Sequence, residues 1–295
     1  MDISIALGGG GSRGNAHIGV LRVLEQEGFH IRAVAGTSFG GLVAAFYAAG
    51  YSPDEIETIF SQVDQNRLYN RAPDDGPSIL GTAGIRKFLD AHLKDLTFDN
   101  LRIPCAMPAA DLRRGSEIVL KAGSLKEAVL ATIAVPGVFP PRKNGDYELV
   151  DGGVLDPIPV SLARSLAPNL PVVAVTLAPP PEAVAHLFSV PLPQMIPAAL
   201  INRISHLRPA QALGIFMQSI EVANRLLSDL RLQVDRPEVV IRPDVGQVAL
   251  LDKVDVHEIA RRGEEAARQA LPEIREQFSL PARLGRTLRL LNSWK

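Results

Sequence analysis

The sequence has little cysteine and no surplus of charge of either sign. Its 295 residues include one cysteine, Cys105, so no disulfide can form within the chain. This excludes a disulfide-stabilised scaffold and favours a reducing compartment, from which we expect a cytoplasmic location. Acidic and basic residues number 32 and 31. That balance argues against binding nucleic acid through a large basic face, and no nucleic-acid partner is expected.

Long uninterrupted apolar runs are also absent. Two uncharged stretches, 33–53 and 183–202, contain glycine or proline breaks. A membrane-spanning helix needs about 20 mainly apolar residues without such breaks, so neither stretch is predicted to span a bilayer. The first residues lack the basic segment of a signal peptide. No spacing of His, Cys, Asp or Glu is typical of a metal site, and we expect neither a metal nor a cofactor.

The apolar pattern, in contrast, is rich and predicts alternating strands and helices. Strands are predicted at 3–7, 31–35, 103–110, 117–121, 147–150, 172–177 and 239–241. Helices are predicted at 15–26, 42–49, from 52 onward, at 82–93, 124–134, 209–232 and 256–278. Such alternation is typical of a largely parallel sheet covered on both faces, and predicts a three-layer α/β/α sandwich.

Capping signals place two of these helix starts. Ser52 and Glu55 have the spacing of a capping box, with Pro53 at the first helical position. Ser124 and Glu127 repeat the same spacing.

The domain is expected to cover 1–280. Within it, 179–208 is apolar, irregular and rich in proline, which is typical of a lid or cap segment. A basic amphipathic tail follows at 281–295. Exposed apolar segments beside basic residues suit docking at a membrane surface, which makes a peripheral membrane contact one hypothesis. Packing of both segments on the core, or a homo-oligomer contact, is the alternative.

Gly36-Thr37-Ser38-Phe39-Gly40 matches the nucleophile-elbow pattern. It lies between a predicted strand and a predicted helix, which is the context that the pattern requires. A tight turn there projects the Ser38 hydroxyl outward, and Gly36 and Gly40 leave room around it. The alternative is a glycine turn in which Ser38 only caps the helix.

A second glycine loop, at 8–14, follows the first predicted strand and opens a helix. The backbone amides of Gly9, Gly10 and Gly11 could converge on an anion such as the oxyanion of acyl transfer. The same letters satisfy the dinucleotide fingerprint, which requires an acidic residue at the end of the second strand. That strand ends in the Ser38 motif without a carboxylate, so a nucleotide site is disfavoured.

The base that activates Ser38 is the next question. Asp151 ends a predicted strand and is followed by Gly152 and Gly153, which leave its carboxylate approachable. A histidine base of the α/β-hydrolase type would have to be one of His186, His206 and His257, but that fold places several strands before its nucleophile. Only one precedes it here, so a Ser38–Asp151 dyad is favoured. The remaining candidates are interpreted as structural or surface residues: His17, His30 and His92.

These motifs together resemble patatin-like phospholipases in order and spacing. The matching stretches are Gly9–Gly14 with Arg13, Gly36–Gly40, and Asp151–Gly153. The resemblance covers roughly 3–178 and is strongest to the bacterial branch related to the catalytic domain of neuropathy target esterase. One departure lies at 131–134, which reads Ala-Thr-Ile-Ala where relatives often carry a serine-rich sequence.

The resemblance implies a patatin-like acyl hydrolase that cleaves carboxylic esters of lipids. Ser38 would attack the ester carbonyl, and Asp151 would accept its proton. Amides of Gly9 to Gly11, with Phe39 as a further donor, would hold the oxyanion, and Arg13 would orient the loop or meet a phosphate. Gly14, Gly36, Gly40, Gly152 and Gly153 would support these groups. The alternatives are a regulatory or binding protein on the same scaffold, and a nucleotide-binding α/β protein.

Overall fold

The computed structural model describes residues 1–73, 75–178, 208–282 and 285–286. Almost all of the predicted lid, 179–208, and most of the predicted tail, 281–295, lie outside these residues. In the described part, the strands are β1 (Asp2–Leu7), β2 (His30–Gly36), β3 (Cys105–Asp111), β4 (Ser116–Leu120), β5 (Arg142–Asn144), β6 (Tyr147–Asp151), β7 (Val172–Val175) and β8 (Val239–Ile241).

The helices alternate with these strands along the chain. They are α1 (Ala16–Gln26), α2 (Phe39–Ala49), α3 (Pro53–Ser61), α4 (Gln65–Leu68), α5 (Ala83–His92), α6 (Leu125–Thr132), α7 (Val160–Leu166), α8 (Arg208–Asp235) and α9 (Val256–Glu276). Short 3₁₀ turns add Gly11–Asn15, Phe98–Asn100 and Gly152–Val154. Among the described helices, none combines the length and the apolar character needed to cross a bilayer.

One mixed sheet of eight strands organises the described residues. Its order is β5-β6-β3-β2-β1-β7-β8, with β4 paired to β3 outside this path. The central strands β3, β2, β1, β7 and β8 pair in parallel, whereas β4, β5 and β6 form the antiparallel pairs. The prediction of a three-layer sandwich with a largely parallel sheet is therefore confirmed.

Both faces of the sheet are buried, and β1 shows this residue by residue. Ile3, Ile5 and Leu7 belong to the large core cluster that contains the apolar side chains of α1 and α2. Ala6 points the other way and joins a smaller cluster with Val160 and other residues of α7. Because successive side chains of a strand alternate between faces, such a strand needs a cover on each side.

The strand ends bring three loops to one edge of the sheet. Since β1 and β2 are parallel neighbours, the glycine loop after Leu7 and the turn at Ser38 leave the same edge. β2 and β3 are parallel, with Ala35 opposite Ala106, so the chain leaves β2 for Ser38 in the direction in which β3 continues to Ala109. Ala109 pairs with Asp151 of β6. The antiparallel strand β6 therefore delivers its carboxylate to the level of the serine.

Several local predictions were only partly right. The Ser52–Glu55 capping box is present with both of its hydrogen bonds. At the second one, Ser124 caps the amide of Glu127, but the Glu127 carboxylate binds Arg142 instead of closing the box. The helix predicted to begin at residue 42 begins at Phe39, directly after Ser38. The short elements β5, α4 and α7 were not predicted.

Candidate active site

Ser38 occupies a strained turn between β2 and α2. Its φ and ψ are 55° and −126°, a backbone conformation that L residues rarely adopt. The turn closes because neither flanking glycine carries a side chain. A Cβ on Gly36 would lie 2.3 Å from the carbonyl oxygen of Gly40, and a Cβ on Gly40 would lie 2.3 Å from that of Leu7. Small residues at these two positions are thus required by backbone contact, as the elbow pattern predicts.

Thr132 holds this turn from α6. The Ser38 amide donates to Thr132 Oγ1 at 3.1 Å, and Thr132 Oγ1 donates to the Pro108 carbonyl at 2.8 Å. Thr132 is fully buried. The sequence singled out 131–134 only as a departure from relatives and did not predict this role. One hydroxyl after an apolar run of four residues was the available signal, because a buried hydroxyl needs partners.

Asp151 is buried at the end of β6, beside Ser38. Its Oδ1 accepts the amide of Gly153 at 2.7 Å, while Oδ2 accepts no hydrogen bond from another described residue. Burial raises the pKa of Asp151 to about 6, although the Ser38 hydroxyl and the Gly153 amide both act to lower that pKa. A carboxyl with a pKa in this range can take up and release a proton near neutral pH.

The glycine loop lies against Ser38, but one of its amides is already engaged. A Cβ on Gly9 would lie 3.3 Å from Ser38 Cβ. The Gly9 amide donates to the Pro157 carbonyl at 2.9 Å, which engages the hydrogen that an oxyanion would need. The amides of Gly10 and Gly11 donate to no described acceptor. The anchor at Pro157 fixes the loop, and the next two amides remain available.

His17 supports the same loop from inside the protein. Its Nε2 lies 2.8 Å from the Gly8 carbonyl oxygen, and the ring is fully buried. Burial lowers the pKa of His17 to about 4, so the ring is neutral at ordinary pH. Since a carbonyl can only accept, Nε2 is the nitrogen that carries the proton. His17 therefore anchors the start of the loop, in line with its interpretation as a structural residue.

Arg13 is tied to two neighbouring segments through its terminal nitrogens. It is buried, with Nη2 2.6 Å from Glu221 Oε1 of α8 and Nη1 3.3 Å from the Leu177 carbonyl. Of the two roles considered for Arg13, these contacts favour orientation of the loop over phosphate binding. The next residue must be a glycine, because a Cβ on Gly14 would lie 2.3 Å from the Phe39 ring.

Two pockets meet at Ser38. The first, of about 900 Å³, has no charged side chain among the described residues that line it, which include Leu42, Phe60, Phe88 and Phe139; we call it the apolar pocket. The second, of about 870 Å³, contains Asp151, Arg13, Glu221, Arg225, Gly9 and Gly10, and we call it the charged pocket. Both volumes include space that is open to solvent. Three of the described residues line both pockets: Ser38, Val135 and Leu250.

The histidines proposed as alternative bases do not reach this site within the described residues. His257 lies on α9, contacts the carboxylate of Glu57 through Nδ1, and lines neither pocket. His186 and His206 lie outside the described residues.

The turn behind Asp151 is fixed by its first glycine. A Cβ on Gly152 would lie 2.3 Å from the Pro108 carbonyl oxygen, so no larger residue fits there without a shift of the backbone. Gly153 contributes its amide to Asp151 Oδ1, as described above. The two glycines predicted to support Asp151 are therefore both in contact with the elements that position it.

Comparison with known proteins gives the chain a family. A family model described as "Patatin-like phospholipase" matches residues 5–164. An uncharacterised NTE-family protein of Mycobacterium bovis is 37% identical over 163 residues, which are 54% of this chain and 44% of the relative. Patatin-like phospholipase domain-containing protein 6 of Mus musculus is 30% identical over 172 residues, 56% of this chain and 13% of the relative. The chain thus spans less than half the length of these relatives.

The fold has a counterpart among solved structures. The crystal structure of VipD from Legionella pneumophila superposes with a TM-score of 0.55. The alignment covers 92% of this chain and 66% of that chain, at 12% identity. At this identity the likeness concerns the fold alone.

Proposed function

The chain belongs to the patatin-like phospholipase family, and on that basis we propose that it is a serine acyl hydrolase that cleaves carboxylic esters of lipids. In this proposal Ser38 is the nucleophile and Asp151 is its base, without a histidine. The observation that carries the proposal is the pair itself: a serine in a strained elbow beside a buried carboxyl whose Oδ2 has no other described partner.

The reaction proceeds in two balanced halves. Asp151 takes the proton of the Ser38 hydroxyl as Oγ bonds to the ester carbonyl carbon. The tetrahedral oxyanion is held by the amides of Gly10 and Gly11, which have no described acceptor, and by the α2 N-terminus. The carbon–oxygen bond to the alcohol then breaks, and protonated Asp151 gives its proton to the leaving oxygen. Water repeats the sequence on the acyl-enzyme, with Asp151 again as base, and releases the fatty acid and Ser38.

The two pockets assign the two parts of the ester. The acyl chain belongs in the apolar pocket, because the described residues that line it include several aromatic rings and no charged side chain. The alcohol belongs in the charged pocket, because Asp151 lines that pocket and must reach the leaving oxygen. In this proposal the scissile ester bond lies at Ser38, with the acyl chain on one side of it and the alcohol on the other.

Turnover of a p-nitrophenyl ester tests the proposal. We expect Ser38→Ala to lower kcat by at least roughly 10³-fold, since the covalent step is lost. Asp151→Asn should lower it by at least roughly 10²-fold, since general acid–base catalysis is lost. Arg268→Gln, a substitution of an exposed α9 arginine that lines neither pocket, serves as the control and should retain full activity.

Equal activity of wild type and Ser38→Ala would refute the nucleophile. No activity of the wild type on a broad panel of acyl esters would instead favour the regulatory or binding protein on the same scaffold. A membrane surface, a homo-oligomer and a cytoplasmic location remain proposals that accompany this function. Flotation with anionic liposomes at low salt tests the membrane contact, which absence of binding would end.

A further inference from the structure

We propose that Arg225, together with the side-chain amide of Asn224, binds an anionic group on the alcohol part of the ester. The substrate class is then esters whose alcohol carries a phosphate close to the scissile bond. This inference rests on the proposed function, because it assigns the alcohol to the charged pocket.

One face of α8 builds the outer wall of the charged pocket. Glu221, Asn224, Arg225 and Ser228 all line it. Their positions follow the i, i+3, i+4, i+7 spacing, which puts four side chains on one side of a helix. The opposite side of α8 exposes apolar residues such as Leu226 and is turned away from the pocket. Four polar side chains of this helix therefore face the space where a substrate would lie.

The four polar side chains differ in how many hydrogen-bonding groups they have left unpaired. The Glu221 carboxylate is held by Arg13 at 2.6 Å, and the Ser228 hydroxyl donates to the Asn224 carbonyl at 2.7 Å. The Arg225 guanidinium, in contrast, makes no hydrogen bond or ion pair with another described residue, and neither does the Asn224 side chain. Arg225 is half-buried. Arg225 therefore differs from Arg13, the other described cation of this pocket, because no described carboxylate forms an ion pair with it.

The bonding capacity of this pair fits a phosphate. A guanidinium presents five donors in a planar fork that suits phosphate oxygens, and a neighbouring amide adds two more donors. The Arg13–Glu221 pair keeps the Glu221 carboxylate engaged, which limits its repulsion of an incoming anion. A partly desolvated arginine without a partner gains more from such a ligand than an exposed one does.

The lining also discriminates against a quaternary ammonium. Cages for choline-like cations use aromatic faces. No aromatic residue occurs among the described residues that line the charged pocket, whereas the apolar pocket has several. We therefore expect a glycerol phosphate ester to be preferred over the corresponding phosphocholine ester as well as over the neutral glycerol ester.

The test compares three octanoyl esters at concentrations below micelle formation, with the alcohol being glycerol, glycerol 3-phosphate or glycerophosphocholine. The expected kcat/KM of the wild type is highest for the glycerol 3-phosphate ester. Arg225→Gln should lower that value by about tenfold to a hundredfold, the size expected for loss of a charged hydrogen bond. It should leave the neutral ester and the p-nitrophenyl ester within about twofold. Arg225→Lys should restore part of the preference, because charge remains but the fork is lost.

Arg268→Gln is the matched control, since it removes one positive charge from α9, outside both pockets. Free glycerol 3-phosphate and inorganic phosphate, tested as inhibitors of p-nitrophenyl ester turnover, separate the sources of the anion. Stronger competitive inhibition by glycerol 3-phosphate, weakened by Arg225→Gln, supports an alcohol subsite. Equal inhibition by both would overturn it in favour of a general anion site.

An unchanged ratio of anionic to neutral turnover in Arg225→Gln would also overturn the inference. If wild type then still hydrolysed the p-nitrophenyl ester and Ser38→Ala did not, the proposed function would stand. If wild type and Ser38→Ala hydrolysed that ester equally, the proposed function itself would have failed.

Discussion

At the scale of single residues, the buried carboxyl of Asp151 gives the account its chemistry. A serine hydroxyl is a weak nucleophile unless a base accepts its proton, and a carboxyl with an ordinary pKa is a poor base. Burial raises the pKa of Asp151 to about 6, which brings it closer to the working pH. The same burial leaves Oδ2 without another described partner, so the base is both stronger and available.

The pH dependence of kcat/KM follows from this pKa. Asp151 must be ionised to accept the proton, so activity on an uncharged ester should fall as pH drops below about 6. Asp156 is the control, because burial raises its pKa to about 7 although it lines neither pocket. We expect Asp156→Asn to leave the acid limb in place. If Asp156→Asn shifted the acid limb of the pH profile, the titrating group would be Asp156 and not Asp151, which would contradict this prediction.

The residues that could be predicted from sequence were those whose neighbours along the chain define the geometry. Ser38 lies within its own glycine motif, and Asp151 precedes two glycines, so the sequence singles out both as candidates. Thr132 and Glu221 were not, because each acts on a partner that is far away in sequence. The sequence also could not distinguish Gly9 from its neighbours, since the engagement of its amide depends on the distant carbonyl of Pro157.

At the scale of elements, the contact between α1 and α9 is set by two reciprocal glycines. A Cβ on Gly19 would lie 1.8 Å from the Ala260 carbonyl oxygen, and one on Gly263 would lie 1.9 Å from that of Ala16. The helix backbones therefore touch. Glycine and proline both disfavour a helix interior, yet α9 runs unbroken through Gly263 and Pro272. The glycine serves packing between helices, which the pattern of one segment does not reveal.

Gly263→Ala should therefore destabilise the protein, although alanine is the better helix former. The collision with the α1 backbone is expected to cost about 1–3 kcal/mol in the free energy of unfolding, measured in urea. Gly285→Ala is the control, because a Cβ there meets nothing within 4 Å. A Gly263→Ala protein as stable as the wild type would mean that α1 and α9 are not in backbone contact.

At the scale of the whole molecule, the parallel strands place the glycine loop and Ser38, and the antiparallel strand β6 supplies Asp151, the proposed base. The alternation of strands and helices along the chain could be predicted from the sequence, and with it the three-layer sandwich. The short elements β5 and α7 were missed because each has too few residues for a period to show. Which loops meet depends on sheet order, and only the pairing of Ala109 with Asp151 reveals it.

Burial of the Asp151 carboxyl should lower the free energy of unfolding at pH values above its pKa. The pKa of Asp151 is about 6 in the folded protein, against an ordinary value of 3.8 for an aspartate in water. Between these values the folded state holds a proton that the unfolded chain has released, so the free energy of unfolding decreases as pH rises. Asp151→Asn should therefore be more stable than the wild type at about pH 8, by at most about 3 kcal/mol.

The difference should vanish at about pH 4, where the folded wild type carries the neutral acid. Urea unfolding at both pH values measures it. A stability gap that is the same at both would show that Asp151 is not a buried carboxyl with a raised pKa.

The most direct test of the central claim is the site at which a fluorophosphonate becomes covalently attached, mapped by peptide mass spectrometry. We predict one adduct on Ser38, slower formation of that adduct in Asp151→Asn, and none in Ser38→Ala. Attachment at another residue, or equal labelling of Ser38→Ala and the wild type, would contradict the account.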